Sequence, residues 1–442
     1  MLNLKSDVLE KSEILKLYTK GFANPQDYKI GLEYERLPID STSLKAVDYW
    51  GDKGIANCLG EFARQNCWDY IVDEKNIIGL AKEHDTITLE PGCQIEISAK
   101  PERTIFDLKK KIDSINSGLE KILAKNDITL LNYGVSPFST CKNIQLIPKR
   151  RYKIMANYLW GILADVMMRE TAGIQCCIDF CSEEDAMRKF KIANKLSPFM
   201  TAMFSNSPIR GGVDTGYKSF RALSWLNTDS DRCGFAGKIS EEFSFEDYID
   251  CIMKTPMIFI QRKGQPIVLN GDITFEEYIK NGYEDFTPNI NDYELQANLC
   301  FPEVRLRNFI EIRNHDCVGG DLKYAILAIY KGIFYDNSAL EEIEELLKPL
   351  QYKDFSELRY NVPKQGLKAQ IKNTSVLDYA KEIVSIAGKS LKANQTGENL
   401  FLNSISKYLS RGISPADEII KKWNGSWNKD LKKMINYLTQ TE

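Results

Sequence analysis

Ile30-Gly31-Leu32-Glu33-Tyr34-Glu35-Arg36 alternates apolar and acidic residues in steps of two. In a strand, side chains two apart share a face, so Glu33 and Glu35 project together, about 7 Å apart along the strand. Like charges that close repel one another unless water or a cation lies between them. The same device recurs along the chain. Gln94, Glu96 and Ser98 fall on one face and Ile95, Ile97 and Ala99 on the other, just after the corner Leu89-Glu90-Pro91-Gly92. In Ile310-Glu311-Ile312-Arg313 the isoleucines take one side and the Glu and Arg the other. Glu303, Arg305 and Arg307 stand against Val304 and Leu306 in the same way.

Any one of these pairs also reads as the solvated side of an amphipathic antiparallel sheet. Taken together, they describe a sheet face lined by Glu33, Glu35, Glu90, Glu96 and Glu311 with arginines among them. Such a face suits hard divalent cations and the phosphates they bridge. Magnesium takes oxygen ligands and keeps some of its waters, and the planar fork of arginine grips phosphate or carboxylate. The chain has no G-x-x-x-x-G-K-[ST] and no G-x-G-x-x-G between a strand and a helix, so phosphate has to be held by metal and side chains.

Outward from these segments, Ile105, Leu108, Ile112, Ile115, Leu119 and Ile122 recur at helical spacing and predict a helix from Thr104 to Lys125. A second helix is expected from about Arg151, leading into Val166-Met167-Met168. Gly173 to Phe180 alternates in period two, with Gln175, Cys177 and Asp179 on one face. Ser182, followed by Glu183, Glu184 and Asp185, starts a helix expected to end near Lys195. Asn206 to Gly234 is rich in Gly, Ser, Asp and Asn, and its interleaved aromatics point to an ordered binding loop. From about Asp321 onward the chain reads as helices with charged outer faces. With no internal repeat and no long linker, we expect one catalytic body over 1–442: an α+β sheet core with the active site in 1–320 and a helical region in 321–442.

A chain of 442 residues with 43% hydrophobic content has ample surface to bury, and a net charge of -3 gives no field to collect a nucleic acid. The first twenty residues alternate charge (Lys5, Asp7, Glu10, Lys11) with apolar side chains, unlike a signal or transit peptide, and no apolar run approaches the roughly 20 residues of a bilayer span. Eleven cysteines without any C-x-x-C, and only two histidines, exclude the usual zinc clusters and fit the cytoplasm. Buried filler is one reading of those thiols and a redox-regulatory pair the other.

Six stretches occur in order: IGLEYER (Ile30 to Arg36), TITLEPGCQIEIS (Thr86 to Ser98), RYKIMANY (Arg151 to Tyr158), MMRETAGIQCCIDF (Met167 to Phe180), NSPIRGGVDTGYKSFRALSWLNTDSDRCG (Asn206 to Gly234) and FPEVRLRNFIEIRNHD (Phe301 to Asp316). RGISPADEIIKKW (Arg411 to Trp423) follows. Together they resemble the plant and proteobacterial glutamate–cysteine ligases, within the glutamine synthetase-like carboxylate–amine ligases. The resemblance implies an antiparallel sheet curved into an incomplete barrel, its inner face the active site, with helices outside. It implies two or three magnesium ions on Glu33, Glu35, Glu90, Glu96 and Glu311, with Arg313 on phosphate beside Glu311. It places Gln175 and Thr171 near the nucleotide or substrate. Arg221, Trp225 and Arg232 would close over glutamate, and Arg305 is a further candidate for its carboxylate.

The implied reaction uses ATP to phosphorylate the side-chain carboxylate of L-glutamate, which the amine of L-cysteine then attacks. The partners are those small molecules, with no nucleic acid or membrane, and the chain acts as a monomer or homodimer. Cys93 stands where that family usually has a second glycine, and Leu223 where it has a histidine. Both bear on the acceptor pocket and leave open a ligase with another amine or acid; a regulator that binds nucleotide without catalysis would show substituted metal carboxylates, and none of the five is substituted.

Overall fold

The alternating segments all become strands of one nine-stranded sheet in a computed structural model that describes residues 9–237, 239 and 242–440. In chain order they are β1 (Ile30–Asp40), β2 (Asp69–Asp73), β3 (Asn76–Lys82), β4 (Asp85–Leu89), β5 (Ile95–Glu102), β6 (Ile128–Leu131), β7 (Gly173–Ile178), β8 (Val304–Leu306) and β9 (Ile310–Asp316). They pair in the order β8-β9-β7-β1-β5-β4-β3-β2, with β6 alongside the far end of β1, and every neighbouring pair is antiparallel. β8 and β2 remain free edges, so the sheet does not close, as the expected incomplete barrel requires. Lys5 and Asp7 of the opening segment lie outside the described residues.

The apolar halves of the alternating patterns face helices. Leu32, Tyr34, Ile97, Ile174, Ile178, Ile310 and Ile312 are all buried. Each contributes about 1.5–3 kcal/mol by leaving water. Their cover comes from helices Ile105–Lys125, Glu183–Met203 and Leu322–Phe334. The first is capped by Thr104, whose side chain accepts from the Asp107 N–H, and the second by Ser182 in the same way on Asp185. The third is apolar around nearly its whole circumference, which suits a helix buried on all sides.

Three expectations change. The helix from Ser182 does not end near Lys195 but runs through Pro198 to Met203. An interior proline costs about 3 kcal/mol. Leu196, Phe199, Met200 and Met203 are fully buried in that last stretch, and their burial outweighs the loss. The helix from Arg151 does not continue into Val166; it splits into Arg150–Tyr158 and Ala164–Glu170. Between them the Gly161 and Leu163 N–H groups donate to the carbonyls of Thr228 and Asn227 at 2.8 and 3.1 Å. A Cβ on Gly161 would lie 2.2 Å from both of those oxygens, so this close crossing pulls the chain out of the helix. The stretch from Asn206 to Gly234 is ordered as expected, but it is no continuous loop: Ser219 caps a helix, Phe220–Leu226, at its centre.

Beyond Asp321 the chain is helical, apart from a small hairpin pairing Gln370–Ile371 with Thr374–Ser375. It packs back on the sheet core. Lys218 N–H donates to the Pro363 carbonyl at 2.7 Å, Ala416 N–H to Ser205 at 2.9 Å, and Lys218 Nζ lies 2.7 Å from Asp417. No helix among the described residues is long and apolar enough to cross a membrane.

Candidate active site

Sheet register places the polar side chains. Glu35 stands opposite Glu96, Glu33 opposite both Ser98 and Gln175, Glu311 opposite Cys177, and Arg305 opposite Glu311. Directly paired residues of antiparallel strands share a face. One side of the sheet therefore carries acids from β5 and β1, the amide of Gln175 from β7, and the acid–arginine strands β9 and β8. This face floors a cavity of about 350 Å³. Glu33, Glu35, Glu90, Glu96, Thr171, Gln175, Arg221, Trp225, Arg305 and Arg313 all line it, so ten of the residues singled out from sequence converge.

Two do not behave as expected. Arg232 lies outside the cavity: its guanidinium pairs with Asp229 at 3.1 Å and donates to Tyr158 Oη, the Leu299 carbonyl and the Pro256 carbonyl. Every face of that fork is spent on joining loops. Glu311 sits beneath the cavity, fully buried, with Arg305 donating to both its oxygens at 2.8 and 2.9 Å and Arg313 to one. Burial alone would raise its carboxyl, but Arg305 and Arg313 outweigh burial and hold it down at about 2. Glu311 thus anchors two arginines rather than standing free as a metal ligand. Arg313 is held charged in return, since Glu311 and Glu33 overcome its desolvation.

The other acids are crowded. Burial, then the charge of Glu311, lifts Glu33 to about 7. Burial and Glu90 raise Glu35, although the Gly173 N–H and Gln175 Nε2 each donate to it at 2.6 Å. Glu96 is pushed well above the carboxylate range by burial and then by Glu33, Glu90 and Glu35; among the described residues only Thr88 Oγ1 (3.0 Å) and Ser98 Oγ (3.2 Å) donate to it. Tyr152 Oη donates to Glu90 at 3.3 Å.

Among the described residues no three His, Cys, Asp or Glu side chains already converge at metal-binding geometry. What fits a divalent cation is the donor chemistry: four carboxylates repelling one another around a space of about 350 Å³, roomy enough for the waters such an ion keeps. The buried Oε1 of Gln175, which has no hydrogen-bond partner, adds an unused acceptor to the same wall.

Cations line the same cavity. Lys149, Arg151 and Tyr152 come from the start of helix Arg150–Tyr158, and Arg307 follows β8. Arg151 donates to the Asn298 carbonyl at 2.7 Å, and Lys149 Nζ to Tyr152 Oη at 3.2 Å. Burial lowers both Lys149 and Arg151, as it does any cation taken out of water. Sequence reasoning set Arg307 on the charged face beside Arg305 but gave Lys149, Arg151 and Tyr152 no role. Arg151 and Tyr152 stood in a matched stretch without any period-two signal, and Lys149 falls just before it.

A family model described as glutamate-cysteine ligase family 2 (GCS2) matches residues 29–436. The chain belongs to glutamate–cysteine ligase family 2. Similar relatives include the chloroplastic glutamate–cysteine ligase of Nicotiana tabacum, 30% identical over 98% of this chain and 83% of that one. The chloroplastic enzyme B of Oryza sativa subsp. japonica is 30% identical over 98% and 88%. Among solved structures, glutamate–cysteine ligase of Francisella tularensis in complex with AMP superposes with a TM-score of 0.59 at 13% identity, covering 94% of this chain and 88% of that one. A bifunctional glutathione synthetase of Pasteurella multocida gives 0.52 at 11% identity, over 97% and 52%. The fold is thus the glutamine synthetase-like one expected from sequence.

This member of the glutamate–cysteine ligase family keeps Cys93 in the left-handed conformation, φ 69°, that ordinarily calls for glycine. The Glu90 corner is held regardless, by the Cys93 N–H donating to the Glu90 carbonyl at 3.0 Å. Leu223 packs against the core from helix Phe220–Leu226 and is not among the residues lining the cavity.

Proposed function

We propose that the chain ligates the γ-carboxylate of L-glutamate to the amine of L-cysteine, using ATP and passing through γ-glutamyl phosphate, to give γ-glutamylcysteine, ADP and phosphate. The observation that carries this reading is the pairing, on one sheet face, of four crowded acids with the arginines that Glu311 holds in place. Both chemical steps bring anions together, so they need neutralised charge and alignment more than a covalent catalyst.

Arg305, Arg307 and Arg313 supply fixed positive charge for phosphate and carboxylate oxygens. Glu33, Glu35, Glu90 and Glu96 would hold two or three magnesium ions, which when bound screen the triphosphate from the incoming carboxylate. Gln175 and Thr171 offer hydrogen bonds to the nucleotide or substrate. Arg221 and Trp225 face the glutamate. The bound AMP of the Francisella tularensis enzyme supports a nucleotide in this fold. We take the chain to act as a monomer or homodimer, and its eleven free cysteines suit a reducing compartment such as the cytoplasm.

The test follows ADP release by the purified chain with magnesium, ATP and L-glutamate while the amine is varied. Strong stimulation by cysteine alone is the expected result. Equal stimulation by many amines would remove cysteine as the acceptor and leave the ligase chemistry. Silence with every amine would remove both.

A further inference from the structure

We propose that Asp316, which is not among the residues lining the catalytic cavity, is the positioning residue that holds helix Phe220–Leu226, and with it Arg221, against that cavity. The kinetic consequence rests on the ligase reading. The proposal adds a residue from outside the cavity to the machinery that presents Arg221.

Alternation along β9 puts Glu311 and Arg313 on the cavity face and predicts His315 as the next residue there. The pairing of β9 with β7 overturns that order. Three steps along β9, from Ile312 to His315, match two along β7, from Cys176 to Ile174, so one residue bulges out. His315 then pairs with Ile174 and turns to the apolar side, while Asp316 pairs with Gly173 on the side of Gln175 and the acids. Bulges beside active sites re-aim side chains in this way. The re-aimed carboxylate is 1% exposed, and Gly134 packs so closely on it that a Cβ there would lie 2.8 Å from its carboxyl carbon. Protein donors satisfy it.

Those donors lead to Arg221. One oxygen of Asp316 accepts from the Asn206 N–H at 2.8 Å and from Ser207 Oγ at 2.6 Å, and the other from Ser219 Oγ at 2.7 Å. A hydroxyl has one proton and two lone pairs, so giving the proton to Asp316 turns the lone pairs outward. Ser207 Oγ then accepts from the Arg221 N–H at 3.1 Å, and Ser219 Oγ from the Ala222 N–H at 2.9 Å. These are first-turn amides of a seven-residue helix, too short to persist without such partners. Arg221 leaves that turn with its guanidinium over Gly173, where a Cβ would lie 2.3 Å from Nη2, and donates to the Arg313 carbonyl at 3.1 Å. The run of contacts starts on β9 at Asp316 and returns to β9 at Arg313.

Charge acts in the same sense. Burial raises the carboxyl of Asp316, and Arg221 heads the groups that oppose burial. Burial lowers Arg221 in turn, and Glu35 and then Asp316 resist it. Asparagine in place of Asp316 removes this attraction. It also keeps an acceptor for Asn206 and Ser207 only by turning its NH2 group toward Ser219 Oγ, whose own proton then has nowhere to go.

Asp316→Asn in the full chain is the test, read in two ways. With ATP, magnesium and cysteine, KM for L-glutamate should rise about 10- to 100-fold while KM for ATP and kcat hold within about threefold. Arg221→Lys should raise the same KM, and the double variant should fall short of the product of the two single effects, because both act through one group. Amide hydrogen exchange, read by mass spectrometry without substrates, should quicken at least about tenfold in Phe220–Leu226 and stay unchanged in Ile105–Lys125. Ser207→Ala removes one hydroxyl and keeps the carboxylate; it should show the same pattern at smaller size, and it carries the test if Asp316→Asn does not accumulate folded. Losses in every kinetic parameter together, with a lower melting temperature and faster exchange in both helices, would overturn the inference and leave Asp316 as part of the core. So would an unchanged KM for glutamate, or single effects that multiply in the double variant. If the wild type releases no ADP with glutamate and any amine, the ligase reading falls, and exchange in Phe220–Leu226 still decides whether Asp316 holds the helix.

Discussion

Glu96 stands half-buried on the cavity floor with Glu33, Glu90 and Glu35 pressing on it, and among the described residues two hydroxyls are its only hydrogen-bond donors. A charge held in that position opposes folding until a cation arrives. Glu96→Gln should therefore leave the melting temperature in EDTA at or above that of the wild type, while kcat/KM falls at least about 100-fold. A variant that melts lower and still turns over would place Glu96 in the frame of the protein and not in its site. His315 shows the opposite sign. It is fully buried between the Ile174 carbonyl, at 3.1 Å, and Tyr330 Oη, at 2.9 Å, and burial pushes it down to about 3. The unfolded chain takes up this proton near 6.5, so the folded state has the full benefit above that pH and loses it as pH falls toward 3. Urea midpoints measured from pH 7 to 4 should decline less steeply for His315→Gln than for the wild type, even if the variant starts lower.

Elements meet at glycines in two different ways, and the consequences separate. A Cβ at Gly332 would lie 2.6 Å from the Ala387 carbonyl oxygen, where helix Leu322–Phe334 crosses helix Val376–Ala393. Backbone cannot step aside, so Gly332→Ala should lower stability by about 1–3 kcal/mol in urea unfolding and leave kcat/KM intact at low temperature. A Cβ at Gly173, on β7, would lie 2.3 Å from Arg221 Nη2. That side chain can shift, and Gly173→Ala should keep the urea midpoint but raise KM for glutamate about tenfold.

The strands themselves were legible, because period-two alternation at Ile30 to Arg36, Gln94 to Ala99 and Ile310 to Arg313 is a local signal that survives folding unchanged. Partnership was not. Arg221 and Arg232 occupy the same kind of stretch and look alike in sequence, yet Gly173 leaves room for the first beside the cavity while Asp229 captures the second. Glu311 read as one more acid because Arg305, unlike Arg313 two residues along the same strand, becomes its neighbour only through strand register. The helix across Pro198 was missed for a related reason: a local breaker was overruled by burial that no window of sequence displays.

At the scale of the whole molecule, the helical region is tied into the sheet core by Pro363, Asp417 and Ala416, and by Arg359 on Glu303. Helix Leu322–Phe334 covers the apolar side of β7 and β1. A fragment ending at Gly320 would leave that surface in water, and we expect it to aggregate or to show the far-ultraviolet spectrum of a largely unfolded chain. A monomeric fragment with a cooperative melt would show that the sheet core stands alone.

The strand order also sets a timetable for synthesis. β1 lies between β5 and β7, and β7 lies between β1 and β9, so the centre of the sheet is complete only when residue 316 has left the ribosome. At ~5–20 residues per second, roughly 15–55 s pass between the emergence of β1 and that of β9. Throughout that interval the nascent chain carries an unpaired strand edge and an uncovered greasy surface, the combination that chaperones recognise.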